Sequence, residues 1–249
     1  MIIRKSPAEI EIMREAGRVT ARALRLVGEA VRPGVTTEEL DALAEQAIRD
    51  AGAAPAFKGY HGFPATICAS INDEVVHGIP SRSRRLAEGD VLSVDVGAIV
   101  DGYYGDSART FPVGTIDRET ARLLAVTEQC LEAGIAQARE GMRLFDISHA
   151  VQVHAEEAGF SVVREYVGHG IGREMHEEPQ IPNFGPAGKG PTIKQGMVFA
   201  IEPMINAGEA AVRQMDDGWT VRTRDGSSSA HFEHTVAVGP EGPVVLTVE

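Results

Sequence analysis

Apolar residues near the start of the chain fall on one helical stripe, marked by Ile10, Met13, Leu24 and Val27. Ser6-Pro7-Ala8-Glu9 supplies an N-cap, a proline at the first helical position and a capping-box glutamate, and Pro33-Gly34 ends the segment. A second helix is predicted from the Thr36/Glu39 capping box, with Leu40, Leu43, Ala44, Ala47 and Ile48 on its buried face and Gly52 as its stop. The period then shortens, and Thr66–Ile71, Val75–Ile79 and Val91–Val96 read as strands. Helical spacing returns from about Arg118, with Leu123, Val126, Cys130 and Leu131, and again near Asp146, stopping at Gly159.

The second half repeats the plan of the first. Gly34 and Gly52 are matched by Gly141 and Gly159 at an offset of 107 residues. The same offset carries Gly89-Asp-Val-Leu-Ser-Val-Asp95 onto Gly196-Met-Val-Phe-Ala-Ile-Glu202, in each case a glycine, an apolar strand and a carboxylate. Two related α+β halves are therefore expected to meet face to face, with a cleft between them as the natural ligand site.

Composition narrows the class. With 43% hydrophobic and 24% charged residues over 249 positions, the chain reads as a globular protein rather than a disordered or fibrous one. Its longest apolar runs fall far short of the ~20 residues that span a bilayer. The two cysteines, Cys68 and Cys130, make no disulfide framework and suit a reducing cytoplasm. A net charge of −12 without a basic stripe argues against a general nucleic-acid partner.

The candidate chemistry is carboxylate-rich. Asp101-Gly102 between apolar runs is a strong two-residue hairpin signal. With that turn, Gly97 faces Asp106 and Ala108 faces Asp95, so both aspartates lie on one sheet face as diagonal neighbours. Either aspartate alone reads as a turn or rim residue; together they repel unless a cation or proton lies between them. Glu202 stands in the mirror position of Asp95, inside an apolar strand where an unpaired carboxylate is costly. Glu233, taken alone, reads as a solvated strand position. Among eight histidines, His169 lies in a glycine-dense turn (Gly168-His-Gly-Ile-Gly172) and His176 precedes a Pro/Gly-rich loop. His77 follows a short apolar strand, and His231 shares the parity of Glu233 while His234 points away. His149 and His154 read as structural or surface residues. Four carboxylates and one imidazole form a hard donor set that suits Mn, Fe or Co better than a closed structural zinc site. Two divalent ions balance its charge.

Asp95, Asp106, His169, Glu202 and Glu233 stand in the order and context found in the methionine aminopeptidase family. From about Ser6 onward the chain most resembles the short bacterial (type I) form. The likeness is carried by INDEVVHGIP, SVDVGAIVDGYYGDSARTF, YVGHGIGREMHEEPQIP, GMVFAIEPM and HFEHTVAV. It implies the α+β pita-bread fold, with two pseudo-symmetric halves, antiparallel sheet and flanking helices. It also implies one catalytic domain over 1–249, with halves of about 1–115 and 116–249.

The resemblance further implies that the five residues bind two divalent ions, with Co, Mn, Fe, Ni and Zn not distinguished, and that a hydroxide bridging them attacks the first peptide bond. Glu202 then acts as general base, His176 stabilises the oxyanion, and His77 contacts the scissile nitrogen or the next residue. Tyr60, Phe63, Cys68, His77, Met175 and Trp219 surround the first side chain, with Met175 where the family pattern has an aromatic residue, and the next position admits only small residues. The stretch around Asn72 and Ser229 resembles a monovalent-cation site for Na or K. Expected partners are N-terminal methionyl peptides and nascent chains, with ribosome association, for a monomer that binds neither membrane nor specific nucleic acid. Two rivals remain: a proline-specific peptidase of the same fold, which carries a further N-terminal domain, and a binding protein that has lost its metals.

Overall fold

The computed structural model describes residues 1–249. Helix α1 spans Pro7–Ala30 and α2 spans Thr37–Asp50. Each opens with the expected reciprocal cap, Ser6 with Glu9 and Thr36 with Glu39, so two otherwise orphaned N–H groups are satisfied at each start. Both helices bury an apolar face that includes Leu24, Val27, Leu40, Ala44 and Ile48, packed on Ile67, Ala69, Leu92, Val94 and Val96 of the first-half sheet. Helices α3 (Arg118–Gln137) and α4 (Leu144–Glu157) cover the second half in the same way, around Leu123, Ile147, Val151, Phe199 and Ile201. Helix α4 begins two residues before Asp146, because Asp146 is the residue that reaches back to the Arg143 N–H.

The repeat is physical. Helices α1 and α3 end at Ala30 and Gln137, and α2 maps onto α4 residue for residue, both at the offset of 107. All six paired glycines have positive φ: Gly34 and Gly141 (92° and 90°), Gly52 and Gly159 (76° and 80°), Gly89 and Gly196 (90° and 86°). Around Gly34, Gly52, Gly141 and Gly159 there is open space for a Cβ, so backbone conformation alone selects glycine at these helix ends.

In the first half, Val91–Val100 and Tyr103–Pro112 form one long hairpin whose register includes Asp95↔Ala108, Gly97↔Asp106 and Val100↔Tyr103. Its turn, Asp101-Gly102, has φ of 48° and 76°, the two positive values a primed turn needs. The second half carries the counterpart in two pieces of one continuous register: Val198–Ile201 pairs with His234–Val238, and Met204–Asn206 pairs with Ser229–His231. Pro203 has no N–H to give, and the ladder breaks there. Where the first half turns in two residues, the second carries a long excursion containing the ribbon Val212–Gln214 and Val221–Thr223. That ribbon crosses over to pair with Glu74–Val76 of the first half. No helix is long and apolar enough to cross a membrane.

Candidate metal centre and adjoining pocket

The two long hairpins present their carboxylates to a common space. Asp106, His169 and Glu233 are buried, and each offers a ligand atom within 4.8 Å of the others. His169 Nε2 lies 3.5 Å from Glu202 Oε1 and 4.0 Å from Asp106 Oδ2. Asp95 lines the same cavity, on the strand face shared with Asp106. The hydrogen bond from His169 Nδ1–H to the Gly170 carbonyl (2.9 Å) leaves Nε2 as a lone-pair donor facing the carboxylates.

Glu233 corrects the expectation of a solvated strand position. It is 2% exposed, and it forms a two-way backbone bridge with Ala108 of the other half (Glu233 N–H to Ala108 O, 2.8 Å; Ala108 N–H to Glu233 O, 3.4 Å). That bridge lies next to the ladder break at Pro203, and the Glu233 carboxylate sits beside Asp106.

The cluster fits divalent cations. Asp95 Oδ1, Asp106 Oδ1 and Glu233 Oε1 are buried without a hydrogen-bond partner, and no lysine or arginine pairs with any of the four carboxylates. Burial, then the neighbouring Asp106 charge, pushes Asp95, Glu202 and Glu233 well above the ordinary carboxylate range. Burial also raises Asp106 to about 7 and lowers His169 to about 3. His169 is therefore neutral and ready to ligate at any physiological pH. Asp106 in the metal-free protein keeps its proton up to near neutrality, and an incoming cation must displace it. Affinity for Mn²⁺ is thus expected to fall as pH is lowered from 8 to 6, by roughly tenfold per unit for each proton displaced. Calorimetric titration of metal-stripped protein at pH 6 and pH 8 checks this, and equal affinities would contradict it.

A cavity of ≈ 410 Å³ opens onto the cluster, lined by Asp95, Asp106, His169, Glu202 and Glu233 on one side. Its other side holds every sequence-predicted pocket residue: Tyr60, Phe63, Cys68, His77, Met175, His176 and Trp219. Phe57, Phe63, Cys68 and Met175 are buried together, so the aromatic segment is at once a small core and a pocket wall. Trp219 meets Phe63 edge-on at 5.1 Å between ring centroids. Burial and the nearby Asp95 and Asp106 push the Cys68 thiol up, keeping it neutral. His77 holds a left-handed backbone (φ 61°), an uncommon conformation for a histidine, and burial lowers its pKa to about 4. The His176 ring lies 4.3 Å from that of His169 between centroids, tilted by 52°, and its Nδ1 lies 2.8 Å from the Tyr60 hydroxyl. His61, between Gly59 and Gly62 in the same glycine-interleaved aromatic segment, also lines the mouth of the cavity, with a left-handed φ of 48°.

His231, expected to share the Glu233 face, is buried with Nε2 unpartnered, 3.7 Å from Glu202 Oε2. By the 107-residue offset and the two hairpin registers, His231 occupies the pseudo-symmetric counterpart of Asp106. His234 lies on the opposite face, bonded to Thr247. Asn72 and Ser229 do meet: the Ser229 N–H donates to the Asn72 carbonyl at 2.9 Å. A second cavity of ≈ 670 Å³ lies between α1 and α3 and contains none of the five clustered residues. Most of its charged rim is internally paired, Arg25 with Glu29 and Glu249, and Arg109 with Glu128.

A buried carboxylate–imidazole cluster at the seam of two duplicated halves defines a metallohydrolase type of centre. Residues 11–240 match metallopeptidase family M24. The methionine aminopeptidase of Clostridium acetobutylicum is 53% identical over 248 residues, covering 100% of this chain and 99% of that one. Methionine aminopeptidase 1 of Bacillus subtilis is 53% identical over 247 residues, with 99% of each chain covered. The solved methionine aminopeptidase of Thermotoga maritima superposes with a TM-score of 0.99 at 46% identity, covering all of both chains. The prolidase of Pyrococcus furiosus, 24% identical with a TM-score of 0.77, shares the fold, and this chain covers 66% of its length. The chain belongs to metallopeptidase family M24 and, within it, to the methionine aminopeptidases.

Proposed function

We propose that the cavity is the active site of an aminopeptidase that removes an N-terminal methionine when the second residue is small and uncharged. One observation carries this reading: an apolar pocket containing a thiol, a thioether and aromatic rings opens directly onto a cluster of unpaired buried carboxylates. Asp95, Asp106, His169, Glu202 and Glu233 hold two divalent ions, drawn from Mn, Fe, Co, Ni or Zn. When bound, such ions supply Lewis acidity and a nucleophilic water at neutral pH. Glu202, whose Oε1 lies 3.5 Å from His169 Nε2 at the floor of the cavity, would take the proton of the attacking water and pass it to the leaving nitrogen. The Tyr60 hydroxyl donates to His176 Nδ1, which leaves His176 Nε2–H free to donate to the carbonyl oxygen as negative charge develops there. His77, between Trp219 and Tyr166, contacts the scissile amide or the residue after it. A Na or K ion at the Asn72–Ser229 contact steadies the junction of the halves. The substrates are methionyl peptides and nascent chains, met at the ribosome by a cytoplasmic monomer.

The unbranched methionine side chain suits the pocket because sulfur–aromatic contacts add ~0.3–1.5 kcal/mol to its burial. Metal-stripped protein, refilled with one divalent ion at a time, is expected to cleave Met-Gly-X and Met-Ala-X rapidly. Met-Leu-X, Met-Lys-X and Leu-Ala-X are expected to be poor. Equal kcat/KM for Met-Ala-X and Leu-Ala-X would discard the pocket assignment, and no hydrolysis with any ion would discard the metallopeptidase reading.

A further inference from the structure

Trp219 reaches the pocket from an unusual direction. It sits in the turn of the second-half ribbon Val212–Gln214/Val221–Thr223, yet it packs on Phe63 and His77 of the first half. The turn itself is stiff. Asp217 accepts from the backbone N–H groups of Trp219 and Thr220 and from the Thr220 hydroxyl. A ribbon with three residues per strand has little stability of its own, so its position must come from what it leans on. Its pairing with the first half is short, Val221↔Val76 and Arg222↔Glu74, with a register shift between the two pairs.

At that junction lies a buried carboxylate between two guanidinium groups. Glu74 is 4% exposed. Its Oε1 accepts from Arg222 on the ribbon at 3.1 Å, and its Oε2 accepts from Arg84 and from the Ile71 N–H (2.9 Å). Arg84 also donates to the carbonyls of Ala69 (3.4 Å) and Ile79 (3.3 Å), which flank the segment carrying His77. A buried ion pair often adds little net stability, and its best-attested use is to fix one register among competing ones. Here the register to be fixed is that of the ribbon against the strand before His77. The candidate metal ligands are held by other means: Asp106 by a reciprocal pair of hydrogen bonds with Thr235, and Glu233 by its bridge to Ala108.

We propose that Glu74, Arg84 and Arg222 form a clamp across the two halves that positions Trp219 and thereby sets the side-chain selectivity of the pocket. The inference rests on the reading of that cavity as the methionine pocket. Trp219 is the only tryptophan, so its fluorescence reports the ribbon directly. E74Q leaves two guanidinium groups facing a neutral amide and tests stability along with position. R222Q keeps Glu74 paired with Arg84 and is the deciding variant.

In R222Q, quenching of Trp219 by acrylamide is expected to increase, with divalent-ion content unchanged. KM for Met-Ala-X rises about three- to tenfold, kcat changes little, and the preference for Met-Ala-X over Leu-Ala-X falls by a similar factor. R222K restores both quenching and preference. Wild-type quenching and wild-type preference in R222Q would overturn the clamp, as would a loss confined to kcat. Absence of methionine preference in the unsubstituted enzyme would overturn the pocket reading, and the clamp's role in selectivity with it. That result needs no variant, so the two failures are distinguishable.

Discussion

Asp106→Asn is expected to lose divalent ions and at least about a thousandfold in kcat/KM, while the metal-free protein becomes more stable. The opposite signs share one cause. Burial raises Asp106 itself, and after burial the Asp106 charge is the largest influence on Asp95, Glu202 and Glu233. With cations present its charge is a ligand; without them its burial makes ionisation costly, and an amide carries no such cost. The backbone at this position is anchored by Thr235, whose hydroxyl accepts from the Asp106 N–H (3.0 Å) and donates to its carbonyl (2.8 Å), so an amide of nearly equal size keeps the local fold. Metal analysis by mass spectrometry and thermal melts in chelator check the two effects separately. Full ion occupancy in the variant would remove Asp106 from the ligand set, and an unchanged metal-free Tm would contradict the cost of burying its charge.

His176→Ala is expected to keep its metals and its substrate affinity, and to lose about a hundredfold or more in kcat, the usual cost of deleting an oxyanion donor. His176 is solvent-exposed at the cavity mouth, so truncation leaves no buried void to confuse the reading. Its one strong side-chain partner is the Tyr60 hydroxyl, and Tyr60→Phe is expected to show a smaller loss in the same direction, because the imidazole stays while its orientation loosens. Single-turnover kinetics with Met-Ala-X separates kcat from binding. An unchanged kcat would reassign His176 to a structural role.

Local chemistry made much of the scaffold legible. The capping boxes at Ser6 and Thr36 and the Asp101-Gly102 turn are short-range devices, and each forms as its residues dictate. Because the turn fixes the register, the shared face of Asp95 and Asp106 followed from counting. The repeat was readable because its positive-φ glycines mark helix ends that few other residues tolerate. Glu233 was different. Its burial depends on a ladder break at Pro203 and a bridge to Ala108, 125 positions away in sequence, and neither leaves a periodic trace around Glu233. The Glu74 network was invisible for the same reason, since Arg84 and Arg222 converge on it from separate halves. Val75–Ile79 shortens to Glu74–Val76 because His77 adopts a left-handed φ that no strand accommodates.

The contacts of Lys5 join parts of the chain that are far apart in sequence. Lys5 is buried and paired with Glu177 at 2.5 Å, beside His176, and its N–H donates to the Gly196 carbonyl at 2.6 Å. Glu177 in turn accepts from the N–H groups of Arg173 and Glu174, in the loop that carries Met175 and His176. Lys5 therefore braces a loop translated 172 residues after it, and Glu233 must still arrive to complete the cluster. Such sequence-distant closure is slow and cannot be finished on a partial chain. The carboxylate–imidazole cluster is therefore incomplete on any chain not yet translated through Glu233.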